Sequence, residues 1–139
     1  MHAPTLAIRP VPAALADALQ SRFGAQFSVA MAVREHHGRD ESAFSVPPPA
    51  AVVFAENTAD VADAVRLAAS HAVPVIPFGV GSSLEGHLLA VQGGISLDVG
   101  RMNAILSIDA DHPTVTVEPG VTRTLLNGAI GHTGLFVPL

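Results

Sequence analysis

A strand–helix–strand pattern in the middle of the chain narrows the fold more than any other feature. Ala51–Ala55 is a short, wholly apolar run suited to a buried strand. Asn57 or Thr58 can cap the helix that follows, and Asp60 and Asp63 fall in its first turns, where the positive end of the helix dipole favours them. Val61, Val65, Ala68 and Ala72 recur at helical spacing and predict its buried stripe. Pro74 ends the helix and Val75-Ile76 opens a second strand. Strand, helix and strand within about 25 residues form a βαβ unit, so the two strands are expected to run parallel.

The flanks are less regular. Residues 1–11 read as a tail, since Pro4 and Pro10 oppose a helix, while Pro12 suits a first helical turn. Ala13–Phe23 carries Leu15, Ala18, Leu19 and Arg22 at helical spacing, with Gly24 as its stop. Residues 30–49 read as irregular: His36–Ser42 is polar and Pro47-Pro48-Pro49 stiffens the connection. Beyond the βαβ unit, Gly94–Val99, Ala104–Asp109 and Thr114–Glu118 read as three strands of a second, mixed sheet. Turn signals at Gly93-Gly94, Gly100, Asp111-His112-Pro113 and Pro119-Gly120 separate and close them. Thr122 caps a helix to about His132, built on Leu125, Leu126, Ala129 and Ile130. Gly134 stops it, and Leu135-Phe136-Val137 reads as the start of a further strand. The expected fold is α+β with an α/β subdomain. Residues 1–45 form a helical and irregular lead-in, and residues 46–139 form the main domain, incomplete at its C-terminus.

Composition removes several functions. The seven basic residues are all Arg and Lys is absent, which excludes a Walker A loop and a pyridoxal Schiff base. With no Cys there are no disulfides, thiolate metal sites or thiol nucleophiles. A net charge of −5 argues against nucleic-acid binding. No apolar run approaches the roughly 20 residues of a membrane-spanning helix. A cytoplasmic protein is expected, or one held peripherally at the inner membrane. The three Arg and one acid of the first 34 residues keep a transit-peptide composition open.

The chemistry is expected in Pro77-Phe78-Gly79-Val80-Gly81-Ser82-Ser83-Leu84-Glu85-Gly86-His87, directly after the second strand. Small residues let the backbone approach a ligand closely and adopt positive φ. Successive N–H groups in such a turn form a nest for anions, and Ser82 and Ser83 add hydroxyl donors. The string is not the doubly wound dinucleotide fingerprint, because counting from Gly79 its sixth position is Leu84 rather than Gly. A glycine-rich turn without a ligand is the plain alternative.

The run Pro74–Gly86 closely resembles the pyrophosphate loop of the vanillyl-alcohol-oxidase/p-cresol-methylhydroxylase (PCMH) type of FAD-binding domain. Gly93–Asp98, Arg101–Leu106 and Val117–Val121 resemble the strand, the Met-Asn turn and the flavin-approaching loop that follow in that family. His37–Ser42 and Gly134-Leu135-Phe136 resemble its branch of D-lactate dehydrogenases and glycolate oxidase FAD subunits. The resemblance spans roughly residues 30–139. It implies non-covalent FAD with its pyrophosphate on Gly79–Ser83, Pro77 at the loop entry, and Gly86, His87, Pro119 and Gly120 completing the neighbourhood. It also implies oxidation of a D-2-hydroxy acid, with electrons passed to a quinone or cytochrome. The substrate domain and catalytic residues of such enzymes lie beyond the equivalent of Leu139, so the chain is expected to be an opening piece, inactive alone and binding FAD weakly or not at all. A stand-alone anion-binding module and a truncated, inactive product are the competing readings.

Other polar residues have plain roles at this stage. His36-His37 is expected to be a solvated loop pair rather than a metal site. Arg39, Asp40 and Glu41 are expected to be exposed charges, Asp98 to tie a turn, Glu85 to brace the loop and Met102 to fill the core. Arg101 and Arg123 are expected at the surface, with contact to a phosphate as the alternative.

Overall fold

The computed structural model describes Ile8 and residues 10–138; the predicted tail otherwise lies outside the described residues. The elements are α1 (Ala13–Phe23), a 3-10 turn Gly24–Gln26, β1 (Phe27–Ser28), α2 (Met31–His37), β2 (Ala51–Phe54), α3 (Thr58–Ser70) and β3 (Val75–Phe78). They continue with β4 (Ile95–Asp98), β5 (Ile105–Asp109), β6 (Thr114–Val117), α4 (Arg123–Ile130) and a 3-10 turn Gly131–Thr133.

The two strands of the βαβ unit are parallel, as expected, but they are not neighbours. The sheet order is β1-β2-β4-β3, with β4 parallel to both β2 and β3 and β1 antiparallel to β2. Ile95 is in register with both Ala51 and Val75. The sequence grouping of Gly94–Val99 with the later strands is therefore corrected: β4 is a central strand of the first sheet. Ile95, Ser96 and Leu97 are all buried, the condition of a parallel strand covered on both faces. The polar Ser96 and Asp98 disguised this in the sequence. The second sheet is the antiparallel pair β5–β6 rather than a mixed sheet. Pro77 is exposed on β3, an edge strand, where its missing N–H costs no ladder bond.

The core lies between the sheet and the α1–α3 layer, with Leu15, Leu19 and Phe23 of α1 meeting Val53, Ala64, Ala68, Ile95 and Leu97. The buried face of α3 is Asp60, Ala64 and Ala68. The predicted stripe was rotated, since Val65 is 45% exposed and Ala72 is exposed. Asp60 explains the rotation. Its Oδ1 accepts from Arg22 at 2.9 Å, and its Oδ2 accepts from Gln26 Nε2 and the Glu56 N–H at 3.0 Å each. A carboxylate turned inward by α1 and its following turn is invisible to apolar periodicity. Asn57, not Thr58, caps α3, accepting from the Asp60 N–H at 2.9 Å.

Two further expectations are corrected. Residues 31–37 are helical rather than irregular. Leu135–Val137 forms no strand; Asn127 holds it instead, accepting from the Val137 N–H at 2.7 Å and donating to its carbonyl at 3.1 Å. Thr122 caps α4 as expected, and Gly134, at φ +77°, follows the closing turn.

Burial raises the Asp60 pKa, but the donors from Gln26, Glu56 and Arg22 outweigh it and hold the carboxyl below its ordinary value. A depressed folded pKa adds stability that is fully present above the unfolded value of about 3.9 and is lost as the pH falls through the folded value. Chemical denaturation at pH 7 should show Asp60→Ala weakened by about 2 kcal/mol or more. Asp60→Asn should lose less stability than the wild type between pH 5 and pH 2, where the parent carboxyl is titrated.

Candidate functional site

Strands β2, β4 and β3 end at Phe54, Asp98 and Phe78 along one edge of the sheet. Ligands of open parallel sheets bind outside the carboxyl ends of their strands. The glycine loop leaves β3 at this edge and the turn Val99–Met102 leaves β4 beside it. Among the described residues, the main-chain N–H groups of Gly79, Val80, Gly81, Ser82 and Ser83 make no hydrogen bond. Gly81 takes φ +77°, a value an L side chain resists. Five successive donors without a protein partner thus lie on a stretch of backbone of low bulk.

The Pro119-Gly120 loop lies across from it. The Gly120 N–H donates to the Met102 carbonyl at 2.7 Å, and a Cβ at Gly120 would sit 2.6–2.7 Å from the carbonyl oxygens of Val99, Gly100 and Met102. Only glycine allows this approach. Gly79, Val80, Gly100, Pro119, Gly120 and Arg123 thereby line one cleft of about 340 Å³. Val80 and Gly81 line a second cleft of about 320 Å³ on the other flank, with His36, Arg39, Asp40 and Glu41.

The remaining sequence-predicted residues sit further along the loop. Ser82 is exposed. Ser83 Oγ and His87 Nδ1 are 3.0 Å apart, and the Ser83 carbonyl accepts from the Glu41 N–H at 2.9 Å. Gly86, at φ +77°, faces the Phe44 ring. Pro77 precedes the loop on β3. The Glu85 backbone N–H, not its exposed carboxylate, braces the turn, donating to Ser83 Oγ at 3.4 Å.

Residues 38–44 strap the loop from outside. Asp40 is half-buried, unlike its exposed neighbours Arg39 and Glu41. Its carboxyl is held below the usual range chiefly by the Ser42 side chain, with the Ser42 N–H, Ser83 and Gly86 adding to this against the effect of burial. The expectation of three free surface charges is corrected for Asp40.

His37 is corrected more sharply. It is 3% exposed, not solvated. Its Nδ1 donates to the Val33 carbonyl at 2.8 Å and its Nε2 lies 2.8 Å from Asp98 Oδ2. Its ring lies 4.3 Å from that of Phe78 and edge-on to Phe54 at 5.5 Å. Asp98 Oδ1 accepts from the Gly100 N–H at 2.7 Å, the turn-tying role expected of it. The lead-in helix is thus fastened to the ends of all three parallel strands. No local signal could reveal a pair 61 residues apart. Of the arginines weighed from the sequence, Arg101 pairs with Glu56 at 2.9 Å and stacks on Phe54, whereas Arg123 is among the residues that line the cleft.

Residues 49–139 match the family model of the FAD binding domain. The chain belongs to the FAD-binding domain family. The cofactor of this domain is FAD. The chain is 42% identical over 112 residues to "Probable D-lactate dehydrogenase, mitochondrial" of Danio rerio, covering 81% of this chain and 22% of that one. It is 33% identical over 108 residues to "D-lactate dehydrogenase (cytochrome), mitochondrial" of Arabidopsis thaliana, covering 76% and 19%. It is 37% identical over 90 residues to "Glycolate oxidase subunit GlcD" of Bacillus subtilis, covering 65% and 19%. The chain therefore spans about a fifth of the length of these curated relatives. In fold it is similar to alkyldihydroxyacetonephosphate synthase, with a TM-score of 0.78 at 24% identity over 92% of this chain and 28% of that one. It is likewise similar to p-cresol methylhydroxylase, with a TM-score of 0.71 at 21% identity over 93% and 27%. The expected PCMH-type α+β fold is the one observed. No described helix is long and apolar enough to cross a membrane.

The residues present fit the phosphate portion of FAD: free N–H donors, close backbone approach and a cleft without an acidic lining residue. Two of the three glycines lining this cleft, Gly120 and Gly79, should respond differently. Gly120→Ala forces a methyl group against three carbonyls and should lower thermal stability by about 1–3 kcal/mol. Gly79→Ala meets no atom within 4 Å and should shift it by less than about 1 kcal/mol.

Proposed function

We propose that this domain holds the diphosphate of FAD in a flavoprotein that oxidises a D-2-hydroxy acid, D-lactate or glycolate. Its electrons pass to a quinone or cytochrome. The observation that carries the cofactor half of this reading is the run of unpaired N–H groups from Gly79 to Ser83 at the carboxyl edge of the sheet. The names of the relatives support the substrate half.

In this reading the N–H groups of Gly79, Val80, Gly81, Ser82 and Ser83 donate to phosphate oxygens, and the hydroxyls of Ser82 and Ser83 add donors. Pro77 fixes the direction in which the chain enters the loop. Gly86 provides the left-handed turn that brings His87 back to Ser83. Pro119 and Gly120 close the cleft opposite Gly79. Binding is non-covalent: Gly79–Glu85 contains no His, and His87 is engaged with Ser83. The chemistry FAD supplies when bound is acceptance of a hydride equivalent from the α-carbon of the hydroxy acid. The task of these residues is to orient it and exclude water from the phosphates. The groups that bind the acid and take its proton lie, in this reading, outside these 139 residues. The location that goes with it is the cytoplasm or the periphery of the inner membrane; the mitochondrial names belong to the relatives.

The test is the full natural chain carrying these residues. It should purify with flavin absorbance that acid precipitation releases into the supernatant. Anaerobic D-lactate or glycolate should bleach the flavin. A flavin that stays oxidised with both acids would remove the substrate assignment, and a colourless protein that takes up no FAD would remove the cofactor site. The 139-residue chain alone should give no turnover with either acid and a dye acceptor.

A further inference from the structure

We propose that Arg123 is the cation that neutralises the cofactor diphosphate, in place of the lysine this chain lacks. The proposal rests on the FAD reading above and adds to it a residue that neither the glycine loop nor the sequence resemblance singles out.

The loop has donors but no charge of its own. A diphosphate held by peptide dipoles alone remains an uncompensated dianion beside a chain of net charge −5. The described arginines are mostly committed elsewhere. Arg22 binds Asp60 and Asp63, Arg66 binds Asp63, Arg101 binds Glu56, and Arg34 Nε donates to the Pro49 carbonyl. Among the described residues, Arg39 and Arg123 are the two whose guanidinium groups have neither hydrogen bond nor ion pair. These two flank the loop, one in each of the clefts that share Val80.

The clefts differ in sign. Arg39 shares its cleft with Asp40 and Glu41, so an anion entering there would face two carboxylates. The cleft of Arg123 has no other ionisable lining residue. Its remaining walls are Gly79, Val80, Gly100, Pro119, Gly120, Val121 and Thr122. Arg123 is exposed, so its charge is hydrated and available at no cost to the core. A guanidinium suits the task because it presents two parallel donors to phosphate oxygens and keeps its charge at any physiological pH. Arg123 is thus a binding and positioning residue, not a catalytic one.

The experiment uses the full chain stripped of flavin and titrated with FAD, following flavin fluorescence, at 50 and 300 mM NaCl. Riboflavin, which has no phosphate, is the comparison ligand. Arg123→Ala should weaken FAD binding about tenfold to a hundredfold at low salt, the loss expected from one charge-assisted pair. It should also flatten the salt dependence and leave riboflavin binding unchanged. Arg123→Lys should recover part of the loss, and Arg39→Ala should stay within about twofold of wild type, since two carboxylates in its cleft oppose an anion there. Matching melting temperatures confirm that the surface variants are folded. Arg123→Ala within twofold of wild type would overturn the assignment, as would equal losses for FAD and riboflavin, which would put the cation against the flavin ring. A folded wild type that binds no FAD would instead defeat the cofactor reading itself, and the assignment with it.

Discussion

The insertion of β4 between β2 and β3 is the constraint on which the rest of the structure depends. It brings the ends of three parallel strands to one edge, and Asp98, the last residue of β4, then distributes contacts from there. One carboxylate oxygen faces buried His37 and the other accepts from the Gly100 N–H. Gly100 and its neighbours supply the carbonyls against which Gly120 packs. The lead-in helix, the turn after β4 and the loop after β6 are thus referred to a single strand end. The glycine loop shares that reference, because Phe78, packed on His37, is the residue before Gly79. A site assembled from distant stretches needs such a common anchor, since a shift of even 1 Å degrades binding geometry.

Electrostatics divides the molecule into two regimes. Away from the site, opposite charges meet: Asp60 and Asp63 absorb Arg22 and Arg66, and Glu56 absorbs Arg101. At the site the chain leaves donors unsatisfied instead. Exposed N–H groups on a loop are tolerated because water can serve them, and an anion replaces that water at little cost in reorganisation. The loop that carries these donors is itself held, by the Glu41–Ser83 backbone bond outside and by Ser83 with His87 within.

Local signals carried much of this. The apolar run Ala51–Ala55, the Thr122 cap and the Gly24 and Gly134 stops each rest on chemistry confined to a few residues, and each stands in the structure. The turn conformation of the glycine loop, with Gly81 and Gly86 at positive φ, was legible for the same reason. What was hidden depends on partners far along the chain. Asp60 turned inward because Arg22 and Gln26 meet it from α1 and the turn after it, and His37 became a core residue because Asp98 meets it. Both are polar residues satisfied by tertiary contacts, so a pattern of apolar periodicity passes over them. The place of β4 was hidden likewise, because strand order is decided by packing and not by sequence adjacency. Arg101 has Glu56 and the Phe54 ring as partners whereas Arg123 has no ion pair among the described residues, a difference no single-chain pattern displays.

The decisive question is whether peptide N–H groups hold the diphosphate. Nitrogen-15 NMR of the labelled chain, titrated with FAD and with riboflavin, reads those groups one by one. The amide protons of Gly79, Val80, Gly81, Ser82 and Ser83 should move downfield and exchange more slowly with FAD alone. If those five signals stay still while FAD binds and shifts others, the phosphates are held elsewhere and the account of this site is wrong.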